Sequence, residues 1–282
     1  MIATTLKTWV ETTRATLTNI RALGIFAALY ALLLASLYGF IATREATMWQ
    51  VTVTLLLLVL VPLEFFVLQS AILNYAREPK FRWAQIVRDA IKLAIVTVPV
   101  LLLAWALWAL LNKWQLRFPV PRPPITFPAT APKVQPIYWP SLIFATLRCL
   151  LFGVALPLAA IHLWIEVAGR KVRDTAEGGG QAILKRLGSA LARAFASDSV
   201  FNYALGLIFF VAVPYALLFI PFTVKGNKTD FAVFIARLVL AFLFMLIGWI
   251  VTLTTLTREI TPSDIATAPK TIPDAPAAEA PA

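Results

Sequence analysis

The sequence predicts an all-α, polytopic membrane bundle. Three observations predict it: a mean hydropathy of +0.80 with 14 % charged residues, apolar runs of spanning length, and amphipathic helical stretches ahead of alternate runs. Soluble domains carry about a quarter charged residues. A helix needs about 20 apolar residues to cross a hydrocarbon core of about 30 Å. Six runs qualify, at about 22–42, 49–74, 93–112, 140–165, 200–222 and 231–256.

The first run follows Lys7, Arg14 and Arg21, and its apolar stretch is longer than the h-region of a cleaved signal peptide, so it reads as a retained anchor. The lone cysteine, Cys149, lies inside the fourth run, which leaves no partner for an internal disulfide and predicts a buried apolar thiol.

Basic residues orient the runs. Sixteen Lys and Arg fall in residues 1–21, 76–92, 166–199 and after 256, against seven in the segments on the other side. Only Arg148 and Arg237 lie within spans. The positive-inside bias therefore predicts an inner-membrane protein with both termini cytoplasmic. The same charge explains the net +11 without nucleic acid, because basic loops set topology and meet anionic headgroups. No nucleic-acid recognition motif accompanies it.

Each odd-numbered run is preceded by a stretch with a helical apolar stripe. In residues 5–20, Leu6, Trp9, Val10, Thr13, Leu17 and Ile20 oppose Lys7, Glu11 and Arg14. In 81–92, Trp83, Val87, Ala90 and Ile91 oppose Arg82, Gln85, Arg88, Asp89 and Lys92. In 182–196, Leu184, Leu187, Leu191 and Phe195 oppose Lys185, Arg186, Ser189 and Arg193. Cationic faces with aromatic and aliphatic side chains opposite suit interfacial helices. Trp9, Trp83, Arg88, Lys92, Lys185 and Arg186 are the predicted anchors in the headgroup layer.

The chain thus reads as three copies of one unit, amphipathic helix then spanning hairpin, at about 1–78, 79–174 and 175–260 within one membrane domain. LVPLEFFVLQSA answers ALPLAAIHLWIE, setting Pro62 over Pro157, and FATLRCLLF answers FIARLVLAF, with Arg148 near Arg237. Residues 261–282, rich in Ala and Pro, read as a disordered cytoplasmic tail. DTAEGGGQ, residues 174–181, is a linker without phosphate-loop spacing. The loop within 117–140 is too proline-dense for a regular helix and reads as extended polyproline, a stiff connector or a docking segment for a protein partner.

Five polar side chains at membrane depth are the candidate functional residues: Glu64, Arg148, His162, Glu166 and Arg237. Glu64 lies 15 residues past Trp49, about 22 Å into its span, too deep for a short side chain to reach an interface. It must find a partner or a proton, and Arg148, about 13 Å into the fourth span, is the expected partner. Arg237 reads as a snorkelling cation or an ion-pair member. His162 and Glu166, one turn apart, read as an interfacial hydrogen-bonded pair.

One histidine and one cysteine leave zinc and thiol chemistry without ligands, and neither HExxH nor GxSxG occurs. No metal or cofactor is expected, nor an enzyme. The sequence therefore predicts a membrane-organising, lipid-interacting or accessory protein. The alternative is a small transporter or channel with a polar path at Glu64. A polar cavity reaching that residue would favour transport.

Overall fold

The computed structural model describes residues 2–43, 47–118, 138–168, 188–189, 192–221 and 227–266. Among them there is no strand, and six helices are long and apolar enough to cross a membrane. Helix α1 spans Ile2–Thr18, α2 Ile20–Ala42, α3 Met48–Arg77 and α4 Trp83–Gln115. The fourth span is α5 (Trp139–Leu150), a π turn (Leu151–Ala155) and α6 (Leu156–Val167). The fifth is α7 (Ser197–Leu207), a π turn (Ile208–Ala212) and α8 (Val213–Phe219), and α9 covers Asn227–Ala266.

Local chemistry sets several helix ends. The Asn19 side chain accepts from the Ala22 N–H at 3.1 Å and starts α2. Thr47 does the same for α3 through Gln50, at 3.3 Å. Such caps satisfy amide donors that have no carbonyl within the first turn.

Four spans carry an internal proline: Pro62, Pro99, Pro157 and Pro214. Helices α3 and α4 run through theirs. In the fourth and fifth spans a π turn begins six residues ahead of the proline. A wider turn there relieves the collision between the proline ring and the preceding turn.

The antiparallel neighbours are α2 with α3, α3 with α4, and α4 with α6, while α9 packs against α3, α7, α8 and α1. Where the fifth and sixth spans cross, Gly206 and Gly248 permit close approach. A Cβ on Gly206 would fall 2.8 Å from Thr252 Cγ2, and one on Gly248 would fall 3.0 Å from the Phe210 backbone nitrogen. Small residues at such crossings are how membrane helices come into contact.

Burial is concentrated at one end, the basic end, where the residue strings 68–73, 158–165 and 250–257 are buried without a break. Toward the opposite end the spans are mostly exposed, with only scattered buried residues such as Leu111 and Phe144. The apolar side chains exposed there are what lipid tails would cover.

One predicted surface helix is corrected. Residues 81–92 do not form a separate helix, because α4 runs unbroken for 33 residues from Trp83. Its first turns bury Ile86, Asp89, Ala90 and Leu93 and leave Val87 and Ile91 exposed, so the packed face is rotated from the expected stripe. Helix α1 is separate, and of its predicted stripe only Trp9 is buried. Thr5, Trp9, Thr12 and Thr16 are buried, while Leu6, Val10 and Leu17 are exposed and Ile20, just past its end, is 79 % exposed. The threonine hydroxyl at 16 bonds back to the carbonyl of Thr12, 2.9 Å away, which frees its methyl for packing.

Of residues 182–196, positions 182–187 and 190–191 lie outside the described residues, as do 119–137 of the proline-rich loop, the 174–181 linker and residues 267–282. Helix α9 continues to Ala266, into the segment expected to be tail. Propagating a formed helix by a turn costs little compared with starting one.

Candidate functional site: polar side chains at membrane depth

Glu64 does not meet Arg148. Its Oε1 accepts from the Ser36 hydroxyl of α2 at 3.1 Å, and its Oε2 is buried with no hydrogen-bond partner. Arg148 instead reaches α4, donating to Asn112 Oδ1 at 2.7 Å and Gln115 Oε1 at 2.5 Å. Its guanidinium also lies 5.0 Å from the centre of the Trp108 ring. A planar cation with several donors finds more partners among amides and an indole than in one distant carboxylate.

His162 and Glu166 are not a pair either. Side chains on a helix lean toward its N-terminus, and His162 follows that direction, away from Glu166. Its Nδ1 lies 3.0 Å from the Leu158 carbonyl and its Nε2 3.2 Å from Ser199 Oγ of the fifth span. A carbonyl can only accept, which assigns the proton to Nδ1 and makes Nε2 the acceptor for Ser199 in the neutral ring. Glu166 turns instead to Arg193, whose Nη1 is 4.0 Å away.

Among the described residues Arg237 meets no acid. It donates to the carbonyls of Leu217 and Ile220, the unsatisfied end of α8. Arg77 does the same for α6, donating to Ile165 and Ala168. The last carbonyls of a helix have no intrahelical donor and carry the negative end of its dipole, so a guanidinium suits them. Arg77 had no sequence signal beyond its charge, which counted toward topology.

The basic end holds a second polar cluster that the sequence did not single out. Ser70 donates to the Ile86 carbonyl at 2.8 Å, and Asn74 donates to Ser70 and to Asp89 Oδ2 at 3.3 Å. Lys92 Nζ then meets Asp89 Oδ1 at 2.8 Å, with the Asp89 side chain only 1 % exposed. Deeper in the bundle Trp249 Nε1 donates to Gln69 at 2.7 Å, and Trp164 Nε1 to Thr97 at 2.8 Å. Polar groups out of water hold their place only with partners, and these bonds join α3 to α4, α3 to α9, and α4 to α6.

The predicted anchors divide. Trp9 is buried, its ring 4.5 Å from that of Phe209, so it packs within the bundle. Lys92 turns inward to Asp89, whereas Trp83 and Arg88 remain exposed at the basic end. Lys185 and Arg186 lie outside the described residues.

A cleft of about 250 Å³ opens between the first, second, fifth and sixth spans. Tyr30, Leu33, Phe65, Leu68, Phe210 and Trp249 line it, Gln69 is its polar edge, and Glu64 is not part of its wall. Among the described residues no group of three or more His, Cys, Asp or Glu side chains comes together. Comparison with protein-family models, with curated proteins and with solved structures finds no match.

Proposed function

We propose that this chain is a non-catalytic membrane protein that organises or accompanies other membrane components and engages anionic lipid at its basic, cytoplasmic face. The observation that carries the reading is where the deep polar side chains go. Arg77, Arg148, His162, Gln69 and Arg237 all hold another span or a helix end, and the cleft beside the second span is apolar. Such polar groups fasten helices rather than line an aqueous path. The sixteen basic residues assigned to one side supply attraction to anionic headgroups.

We also propose a threefold arrangement of hairpins, without the surface helix as a common element. The second helix of each hairpin carries the buried string, starting at residues 68, 158 and 250, with offsets of 90 and 92. That regularity supports repetition better than the short letter matches do.

Reconstitution tests the function. Purified protein in anionic vesicles should raise proton and small-ion flux no higher than empty vesicles, and phosphatidylglycerol should be enriched over phosphatidylcholine among co-purifying lipids. Orientation is tested after Cys149→Ala removes the native thiol. An impermeant thiol reagent should label Thr126→Cys from outside the cell and miss Thr267→Cys, and the reverse would invert the topology.

The second reading, a transporter using Glu64, has one observation in its favour: the buried Oε2 without a partner. Flux that disappears in Glu64→Gln would establish it over the first.

A further inference from the structure

We infer that the pocket between the start of α2 and the α3–α4 turn binds the phosphate of an anionic phospholipid from the leaflet at the basic end. The inference rests on the lipid reading proposed above and assigns it a site. The pocket holds about 340 Å³ and is lined in part by Asn19, Arg21, Tyr75, Lys80, Phe81 and Trp83. It lies where Ile20 begins one span and Arg77 ends the next, so its mouth is level with the boundary of the hydrocarbon.

Among the described residues no acid compensates its charge. Arg21 and Lys80 form no ion pair among the described residues. The one acid of the turn, Glu78, is held by Arg82 at 3.0 Å. Two cations facing one pocket without an acid repel each other, and a phosphate removes that repulsion.

Its floor is fixed before any ligand arrives. The Asn19 amide donates to the Tyr75 hydroxyl at 2.6 Å while its oxygen caps α2. Phe81 stacks on Tyr75, with ring centres 5.5 Å apart, and Trp83 stacks on Phe81 at 6.2 Å. A preformed pocket spends less ordering entropy on binding. Stacked aromatics ending in a tryptophan belong at headgroup depth. A soluble phosphate shares the anion chemistry but gains nothing from an aromatic wall at the bilayer edge, which favours the lipid.

The test is native mass spectrometry of the full chain, released from detergent and titrated with palmitoyl-oleoyl phosphatidylglycerol or the matched phosphatidylcholine. Wild type should retain phosphatidylglycerol preferentially, and Arg21→Gln with Lys80→Gln should weaken it about thirtyfold, since each cation near a charged surface contributes about fivefold. Lys113→Gln with Lys228→Gln, at the opposite end of the bundle, should leave retention unchanged. Should the double variant melt early, Lys80→Glu alone must still weaken binding at an unchanged melting temperature. Equal retention by wild type and the pocket variants, with phosphatidylglycerol still preferred, overturns the pocket and leaves the lipid reading standing. No preference of wild type for phosphatidylglycerol overturns both. Displacement of the lipid by millimolar inorganic phosphate, with phosphate bound equally well in its absence, overturns the lipid in favour of a soluble anion.

Discussion

The Tyr203 hydroxyl donates to the Gly153 carbonyl at 3.1 Å, across the gap between the fifth and fourth spans. Gly153 lies four residues before Pro157, the position whose carbonyl a proline leaves without its usual donor. One span thus repairs the hydrogen-bond deficit of another, in a setting where no water can do so. The prediction is that Tyr203→Phe lowers stability in detergent by about 1 kcal/mol, the usual scale for an interhelical bond in a membrane. In a Pro157→Ala background, where residue 157 regains its N–H, the loss should shrink. Chemical or thermal denaturation of the four proteins reads it, and an equal loss in both backgrounds would separate Tyr203 from the proline.

Arg77 should be among the costliest single side chains to remove. It closes the carbonyl end of α6 from the end of α3, through charge-assisted bonds to Ile165 and Ala168. Arg77→Met is predicted to cost about 3 kcal/mol. Arg77→Lys should recover little, because a single ammonium cannot span two carbonyls as a guanidinium fork does. Full recovery with lysine would mean that charge alone matters there.

At the crossing of the fifth and sixth spans, Gly248→Ala would press a methyl onto backbone, with nothing flexible to yield. A loss of about 1–3 kcal/mol follows from overpacking of that kind. Gly206→Ala meets the Thr252 side chain instead. Truncating that neighbour, Thr252→Ala, should therefore rescue Gly206→Ala and leave Gly248→Ala unrescued. Melting curves of the singles and doubles decide it.

Glu64 and Arg148 should behave as strangers. Glu64→Gln keeps an acceptor for Ser36 and should change stability by less than about 1 kcal/mol. Arg148→Met loses Asn112, Gln115 and the Trp108 ring, and should be the more damaging. Their combination should be additive within about 0.5 kcal/mol, as unconnected sites are. A coupling much larger than that would restore the ion pair that depth alone suggested.

The six crossings were legible because spanning length is a property of the sequence itself. The third apolar run, 93–112, lies inside a helix that begins at Trp83, so the stripe ahead of it belongs to the same helix. A 3.6-residue stripe with polar residues opposite looks the same on a membrane surface as at the start of a span that turns its polar face inward. Asp89 and Lys92 are polar residues of that second kind. The depth of Glu64 was also readable by counting, but its partner was not. Charge complementarity points to an arginine, and nothing in the chain marks Ser36 among the many other hydroxyls. The proline-linked π turns hid for a related reason, since each inserts a residue into the helical period that pattern reading assumes.

A bundle closed at one end and open to lipid along the rest has no complete packing of its own. In the half away from the basic end, acyl chains would cover the apolar side chains that the helices leave exposed, so their length and saturation become structural variables beside side-chain volume. Stripping lipid should therefore loosen that half first while the strings at 68–73, 158–165 and 250–257 stay protected against amide exchange. Bilayer thickness would then act, together with the Arg148 and Arg237 contacts, on how far apart the far ends of the six helices stand.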